Sequence, residues 1–181
     1  MNILYLAFQV GISKKLPRAG WVEFNIKDPE SVAEHCFRVN VLTLVLAPYL
    51  EVNQEKLVKM AIIHDLGEKA TGDLIVQKGK EIFKDERKIK EKIEEEAIKS
   101  ILWKYSEDYQ KLFHEMTERK TKEAVVFWEI DQLEKAIQAY EYEKEQGVDL
   151  SEFIEGADYH IKNPLLKEAM EDLKKLRIKK A

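Results

Sequence analysis

The sequence predicts an all-α fold, one compact domain of about seven to nine helices that spans residues 1–181. With only seven Gly and four Pro, the chain has too few turn signals for a many-stranded sheet, and apolar and polar residues alternate strictly over only a few positions. Long stretches of Leu, Ile, Ala, Glu and Lys favour helices instead. A hydrophobic content of 45% is enough for a globular core, so strands should be few or absent.

The first two predicted helices are separated by an irregular connection. Residues 2–12 are apolar but have neither a basic n-region nor a small-residue cleavage site, which predicts a first core helix rather than a signal peptide. Residues 13–29 contain two prolines and a glycine and are typical of an irregular segment. The second helix is predicted over residues 30–47, because Pro48 disfavours helical geometry in the residue before it.

The next two helices are predicted from a cap and from a charged pattern. Asn53 can cap a third helix that ends near Gly67, after which two further glycines mark a loop. A long helix is predicted over residues 80–105, where Lys and Glu fill the outer faces at spacings that allow supporting pairs. Its narrow apolar stripe comprises Ile82, Ile89, Ile93, Ala97, Ile101 and Leu102.

Three more helices complete the predicted fold. Two cover residues 107–118 and 122–146, and the second of them ends at Gly147. The last one begins at Pro164, a residue suited to the first turn of a helix, and continues to about Lys175.

Composition and charge disfavour several functional classes. A net charge of -4 and a pI near 5.7 argue against binding to nucleic-acid polymers, although a local positive pocket could still take a small phosphorylated substrate. No apolar run approaches the roughly 20 residues that span a bilayer. Cys36 is the only cysteine, so an intrachain disulfide is excluded and a reducing compartment, the cytoplasm, is expected.

Three polar side chains fall on predicted apolar helix faces. His35 shares a helix face with Val32, Val39 and Leu42, and His64 shares one with Leu57 and Ala61. Asp131 shares a face with Ala124 and with Phe127 or Trp128. Burying an ionised Asp131 without partners would cost several kcal/mol or more. Asp131 therefore has a compensating partner, is protonated, or is not buried.

A divalent cation would account for these polar residues together. Imidazole nitrogens and carboxylate oxygens suit metals such as Mn, Fe, Co, Ni or Zn. Asp65 follows His64 directly, about 100° further round the helix, so the two can contact one ion. Taken singly, each of these residues has a simpler explanation than metal binding. A lone His is more often a hydrogen-bonded core residue, Asp65 could cap a helix end, and Asp131 could pair with an Arg or Lys.

The segments around the His-Asp pair resemble a known family. In chain order they are PRAGWV at 17–22, PESVAEH at 29–35, HDLGE at 64–68, GD at 72–73, IDQLE at 130–134 and QAYEYE at 138–143. Together they are similar to the motifs of the HD-domain phosphohydrolase superfamily, and specifically of its 5'-deoxynucleotidase branch.

The resemblance implies a homodimeric enzyme that hydrolyses deoxyribonucleoside 5'-monophosphates to the nucleoside and phosphate. It implies a single divalent cation, drawn from Mn, Co, Ni, Fe, Mg or Zn. The residues that match the family's metal ligands are His35, His64, Asp65 and Asp131. Those that match its acid–base and water-orienting carboxylates are Glu68 and Asp73, and those that match its phosphate and nucleoside contacts are Arg18 and Trp21.

The chemistry suits these residue types. A divalent cation lowers the pKa of a bound water to about 7 in favourable sites. Arg18 offers a planar fork for two phosphate oxygens. Glu68 lies four residues beyond His64, and Asp73 in its loop could protonate the departing 5' oxygen or position the attacking water. Without the resemblance, Arg18 would equally suit a surface cation, Trp21 a core anchor, and Glu68 a solvated helix end.

Other polar residues receive no catalytic role. The spacing at Glu118 and Glu123 is about one residue shorter than in the family, and Glu34 is left outside the catalytic set. His114 and His160 fall outside the motifs, which favours one metal. Two rival functions remain: cleavage of phosphodiesters or nucleoside triphosphates, and nucleotide binding by a non-catalytic regulator. The intact set of acids argues against the regulator.

Overall fold

The computed structural model describes residues 3–68, 83–102 and 107–178. Within these ranges the backbone forms nine α-helices and no β-strand, which confirms the all-α prediction. The helices are α1 (Ile3–Gly11), α2 (Ala19–Glu23), α3 (Val32–Leu46), α4 (Gln54–Ile63), α5 (Phe83–Leu102), α6 (Asp108–Glu118), α7 (Lys122–Gln146), α8 (Ser151–His160) and α9 (Pro164–Ile178). Two short 3-10 helices cover Ile12–Lys15 and Ala47–Tyr49.

A capping box sets the start of α3. The Ser31 side chain accepts a hydrogen bond from the Glu34 backbone N–H, while the Glu34 carboxylate accepts one from the Ser31 backbone N–H at 2.7 Å. The helix therefore begins at Val32, two residues later than predicted. This start places Val32, His35 and Val39 together on the buried face.

The predicted cap of α4 is confirmed, but its predicted end is wrong. The Asn53 side chain accepts a hydrogen bond from the Lys56 backbone N–H at 3.0 Å. The helix ends at Ile63 rather than near Gly67, and the chain continues as a turn. A Cβ atom at Gly67 would lie 2.7 Å from Cβ of Glu94 on α5, so a larger residue would push the two segments apart. Gly67 thus permits α5 to close over the turn.

Helix α7 lies at the centre of the fold. The Thr121 side chain caps its first turn, and Gly147 ends it in the left-handed conformation with φ of 68°, as the sequence predicts. It packs against α3, α4, α6, α8 and α9. Phe127 and Ile130 on this helix have no exposed surface, so Asp131 is carried into the interior.

Helix α1 forms as predicted, but its predicted place in the core is wrong. None of its residues is buried, and Leu4 and Phe8 are about 70% exposed. It contacts the following 3-10 helix and α5, and Leu6 packs against the core, but within the described residues most of its apolar surface stays exposed. No helix in the described ranges combines the length and the apolar character needed to cross a membrane.

The apolar stripe predicted for α5 is confirmed only in its second half. Ala97, Ile101 and Leu102 are buried as predicted, whereas Ile89 and Ile93 are exposed and Ile98, which the predicted stripe leaves out, is buried. The four buried residues follow the i, i+3, i+4 spacing of one helix face. Ile82 lies outside the described residues.

Two helices occur where the sequence analysis gave none. The segment predicted as irregular over residues 13–29 contains α2, which carries Trp21. Helix α8 follows Gly147 and has a glycine, Gly156, in its middle, a residue that weakens the helical signal. Phe153 of α8 packs on Trp21 with ring centroids 4.7 Å apart, so the two unpredicted helices contact each other.

Candidate metal centre

Four side chains that the sequence singled out meet at one point in the fold. His35 comes from α3, His64 and Asp65 from the turn after α4, and Asp131 from α7. His35, His64 and Asp131 are buried, while Asp65 is partly exposed. Three helix-borne segments thus bring two imidazoles and two carboxylates together.

The spacing of the four donor groups fits a single cation. His35 Nε2 lies 3.2 Å from Asp131 Oδ1 and 3.7 Å from Asp65 Oδ2. His64 Nε2 lies 3.2 Å from Asp65 Oδ2 and 3.4 Å from His35 Nε2. Donor atoms that each lie about 2.1 Å from one ion stand roughly 3.0 to 3.5 Å from each other. Three of the four distances fall in this range, and the fourth, from His35 to Asp65, is 0.2 Å longer, so the residues suit a divalent metal that draws Asp65 slightly inward.

Hydrogen bonds aim both imidazoles at this point through Nε2. His64 Nδ1 lies 2.7 Å from the Ala61 carbonyl oxygen, which can only accept, so this nitrogen carries the proton. His35 Nδ1 lies 2.6 Å from Oε2 of Glu134, a residue with no exposed surface. Glu134 is a residue of the site that is not predicted from the sequence, although it lies one helical turn after Asp131 and so shares its face.

The carboxylates of the centre are held in their ionised form. Burial raises the pKa of Asp131, but the hydrogen bond and the charge of His35, with His64 and Arg18, lower it to about 2. Burial also raises the pKa of Asp65, and His64 and Arg18 outweigh this so that the pKa falls below its usual value. Of the three alternatives for Asp131, the structure shows the one with compensating partners.

The same anionic surroundings attract positive charge to His35. Burial and the Arg18 charge lower the pKa of His35, but hydrogen bonds to Asp131 and Glu134 raise it to about 10. A proton and a metal cation therefore compete for the same nitrogen, and binding of the metal requires that the proton leave.

Arg18 and Glu68 lie beside the four donors. Arg18 Nη1 lies 3.2 Å from Asp65 Oδ2 and 3.7 Å from Glu68 Oε2. The backbone around Arg18 is fixed because its N–H donates to the Glu30 carbonyl oxygen at 3.0 Å. Glu68 is 5% exposed and follows Asp65 by one turn. A guanidinium and a buried carboxylate thus flank the centre.

Trp21 lies close to this site but is enclosed. Its exposed fraction is 2%, its Nε1–H donates to Glu30 Oε1 at 2.9 Å, and its ring packs against Tyr142 and Phe153. The structure thus shows Trp21 as an anchor of the segment that carries Arg18, and its contact with a nucleoside stays a prediction. Asp73, the second predicted acid–base residue, lies outside the described residues.

The remaining polar residues have other contacts. His114 is exposed and lies 4.0 Å from Glu118, and the Glu123 carboxylate accepts the Asn53 backbone N–H at 2.9 Å. His160 is exposed at the end of α8 and packs on Tyr159. Cys36 Sγ lies 4.0 Å from Asp65 Oδ2, a proximity to the centre that the sequence analysis did not anticipate.

Sequence comparisons link the chain to named proteins. A family model described as "HD domain" matches residues 10–174. A 5'-deoxynucleotidase from Danio rerio is 35% identical over 150 residues, which cover 81% of this chain and 72% of the relative. A 5'-deoxynucleotidase from Schizosaccharomyces pombe is 34% identical over 170 residues, which cover 88% of this chain and 82% of the relative.

Solved structures share the fold. A conserved hypothetical protein from Pyrococcus furiosus superposes with a TM-score of 0.78 at 35% identity, over 95% of this chain and 99% of that one. A protein from Magnetospirillum magnetotacticum, described as a predicted metal-dependent phosphohydrolase, superposes with a TM-score of 0.68 over 95% of this chain and 92% of that one. At 20% identity, the second likeness concerns the fold alone.

Proposed function

The chain belongs to the HD-domain family, and from this premise we propose that it is a metal-dependent 5'-deoxynucleotidase that hydrolyses deoxyribonucleoside 5'-monophosphates to the nucleoside and phosphate. The observation that carries the proposal is the convergence of His35, His64, Asp65 and Asp131 with the Arg18 guanidinium 3.2 Å from Asp65. This arrangement places a phosphate-binding guanidinium next to a site suited to a cation. The 5'-deoxynucleotidases among the relatives support the choice of substrate.

Each side chain of the site has a separate role in the proposed reaction. When bound, the cation would polarise the phosphoryl group and lower the pKa of a water. Arg18 binds two phosphate oxygens through its planar fork and compensates the negative charge of the phosphate. Glu68 accepts the proton from the water that attacks phosphorus, and Asp73 donates a proton to the 5' oxygen as its bond to phosphorus breaks. Trp21 borders the nucleoside and keeps the Arg18 segment in place.

We propose one cation per chain. The donor atoms of His35, His64 and Asp131 lie within 4.8 Å of one another, and Asp65 Oδ2 lies beside both imidazoles. Within the described residues, His114 and His160 are exposed and lie on other helices. Mixed imidazole and carboxylate donors suit Mn, Fe, Co, Ni, Zn and, with its preference for oxygen, Mg.

Release of inorganic phosphate from a panel of nucleotides tests this function. We expect turnover of deoxyribonucleoside 5'-monophosphates with at least one of Mn, Co, Ni, Mg or Zn, and none of the 3'-monophosphates that serve as controls. Ribonucleoside 5'-monophosphates in the same panel measure selectivity for the sugar.

The panel also separates the rival functions. No turnover of any monophosphate, combined with cleavage of cyclic nucleotides or triphosphates, would assign the chain to another branch of the superfamily. Thermal stabilisation by nucleotides without turnover under any metal would make it a regulator.

The proposed enzyme is a homodimer, and an exposed apolar stripe on α3 is its proposed interface. Phe37 and Leu44 are 73% and 63% exposed, and Val41 and Val45 complete the i, i+4, i+7, i+8 pattern. An apolar stripe of this kind on a water-soluble protein typically marks an interaction surface, and a twofold axis would pair it with itself.

Substitution of the stripe tests the dimer. Leu44→Glu should halve the mass measured by light scattering, because two buried carboxylates would oppose each other across the axis. Leu176→Glu, at an equally apolar but separate exposed position on α9, is the matched control and should leave the mass at that of the dimer. An unchanged mass for Leu44→Glu would show that another surface, or none, forms the dimer.

We further propose that the enzyme works in the cytoplasm on free nucleotides and binds neither nucleic-acid polymers nor membranes. A single cysteine and a net charge of -4 support this environment and this substrate class.

A further inference from the structure

Glu134 on α7 is a fully buried carboxylate that lies between the Arg38 guanidinium and the His35 imidazole of the metal centre. Its Oε2 lies 2.6 Å from His35 Nδ1, and its Oε1 accepts a hydrogen bond from Arg38 Nε at 2.9 Å. The residue has no exposed surface. A carboxylate buried this deeply is costly unless its oxygens are paired, and here both oxygens have a donor.

Arg38 is itself held at three points. Besides Glu134, its Nη1 donates to Glu141 Oε2 at 2.6 Å, and its Nη2 donates to the Gln138 side chain. Glu134, Gln138 and Glu141 lie on successive turns of α7, while Arg38 follows His35 by one turn on α3. The guanidinium therefore joins the two helices that carry His35 and Asp131, and it fixes the direction of the Glu134 carboxylate.

The same region could be interpreted as a second cation site. Donor atoms of Glu30, His35 and Glu134 lie within 4.8 Å of one another. However, Arg38 already supplies a positive charge to Glu134, and the Trp21 indole N–H already donates to Glu30. A further cation would have to compete with a guanidinium that cannot be deprotonated, so these contacts favour orientation over metal binding.

We propose that Glu134, clamped by Arg38, is the positioning residue that fixes the ring orientation and tautomer of His35. It thereby sets the affinity of the metal centre, and the inference rests on the metal site of the proposed function. With the Nδ1 proton held by the carboxylate, the Nε2 lone pair of His35 points towards Asp131 and His64. A carboxylate behind a ligating imidazole also increases its basicity as a ligand.

The first test measures metal affinity in the absence of substrate. Calorimetric titration of metal-free protein with Mn²⁺ or Co²⁺ should show a Kd about 10- to 100-fold weaker for Glu134→Gln, the loss usual for an outer partner of a ligand. The amide has the size of the carboxylate but only one acceptor oxygen for two donors. Glu145→Gln, at an exposed position on the same helix, is the matched control and should bind like the parent protein.

A second measurement separates orientation from general support of the fold. Long-range ¹H–¹⁵N spectra of the Zn²⁺-loaded parent protein should show His35 bound through Nε2 and protonated at Nδ1, and Glu134→Gln should show a fraction of His35 that is not bound through Nε2. Thermal melting of the metal-free variants reports whether they fold. If Glu134→Gln does not fold, Arg38→Lys tests the proposal in its place. Lysine keeps the positive charge but cannot make the three contacts of Arg38, so this variant should also weaken metal binding.

Two results would overturn the proposal. One is an unchanged metal Kd in a folded Glu134→Gln variant. If Glu134→Gln does not fold, an unchanged Kd in Arg38→Lys has the same meaning. The other is binding of two metals per chain that falls to one in Glu134→Gln, which would make Glu134 a ligand. Since no nucleotide is present, a wrong assignment of the substrate would leave these results intact and would be detected only by phosphate release.

Discussion

Replacing Asp131 with alanine should remove bound metal and phosphate release together. Asp131 contributes the buried carboxylate that lies 3.2 Å from His35 Nε2, and the metal centre would keep one anionic ligand instead of two. The loss should therefore exceed the roughly 10- to 100-fold change in metal affinity or activity that an outer partner contributes.

Metal content after gel filtration and kcat/KM for the favoured deoxynucleotide are the quantities to measure. Asp172→Ala, an exposed aspartate on α9, is the matched control and should retain both. The melting temperature of metal-free Asp131→Ala identifies a folding defect. Full activity combined with complete loss of metal would contradict the mechanism, and so would full metal content with full activity.

Replacing Glu68 with glutamine should lower kcat by about 10²- to 10⁴-fold, the usual contribution of a general acid or base, while metal content stays at the parent level. Glutamine keeps the shape of the side chain but cannot accept the proton of the attacking water. Glu68 is buried one turn after Asp65, with Arg18 Nη1 3.7 Å from its Oε2, and it is not among the four donors that converge. Catalysis and metal binding should therefore separate at this position.

Steady-state kinetics and metal analysis of the same preparation test that separation. Glu168→Gln, exposed on α9, serves as the control and should match the parent enzyme. A kcat within about twofold of the parent value would remove Glu68 from the reaction. A parallel loss of metal would make it part of the metal centre instead.

The features that the sequence could predict are those with a local signal. The sequence predicts the end of α7 correctly because Gly147 ends it in a conformation that glycine favours, and it predicts the start of α4 from the Asn53 cap. His35 and Asp131 were singled out because each interrupts an apolar helix face, and both lie in the described centre.

The features that could not be predicted depend on contacts between distant segments. Glu134 meets His35 and Arg38 across 99 and 96 residues, so its position on the face of Asp131 predicts burial but not these two partners. The same holds for the close approach of Glu94 on α5 to Gly67. Helix α1 is a different case, because its apolar pattern predicts the helix correctly but does not predict whether the apolar surface is buried.

The central claim is that His35, His64, Asp65 and Asp131 hold one catalytic cation. An anomalous-difference map from crystals of the Mn²⁺-loaded protein tests it most directly. We predict a single peak per chain, with Nε2 of both imidazoles and an oxygen of each carboxylate at about 2.0 to 2.3 Å. A peak at Glu30 and Glu134 instead, or no peak among the four donors, would contradict the claim.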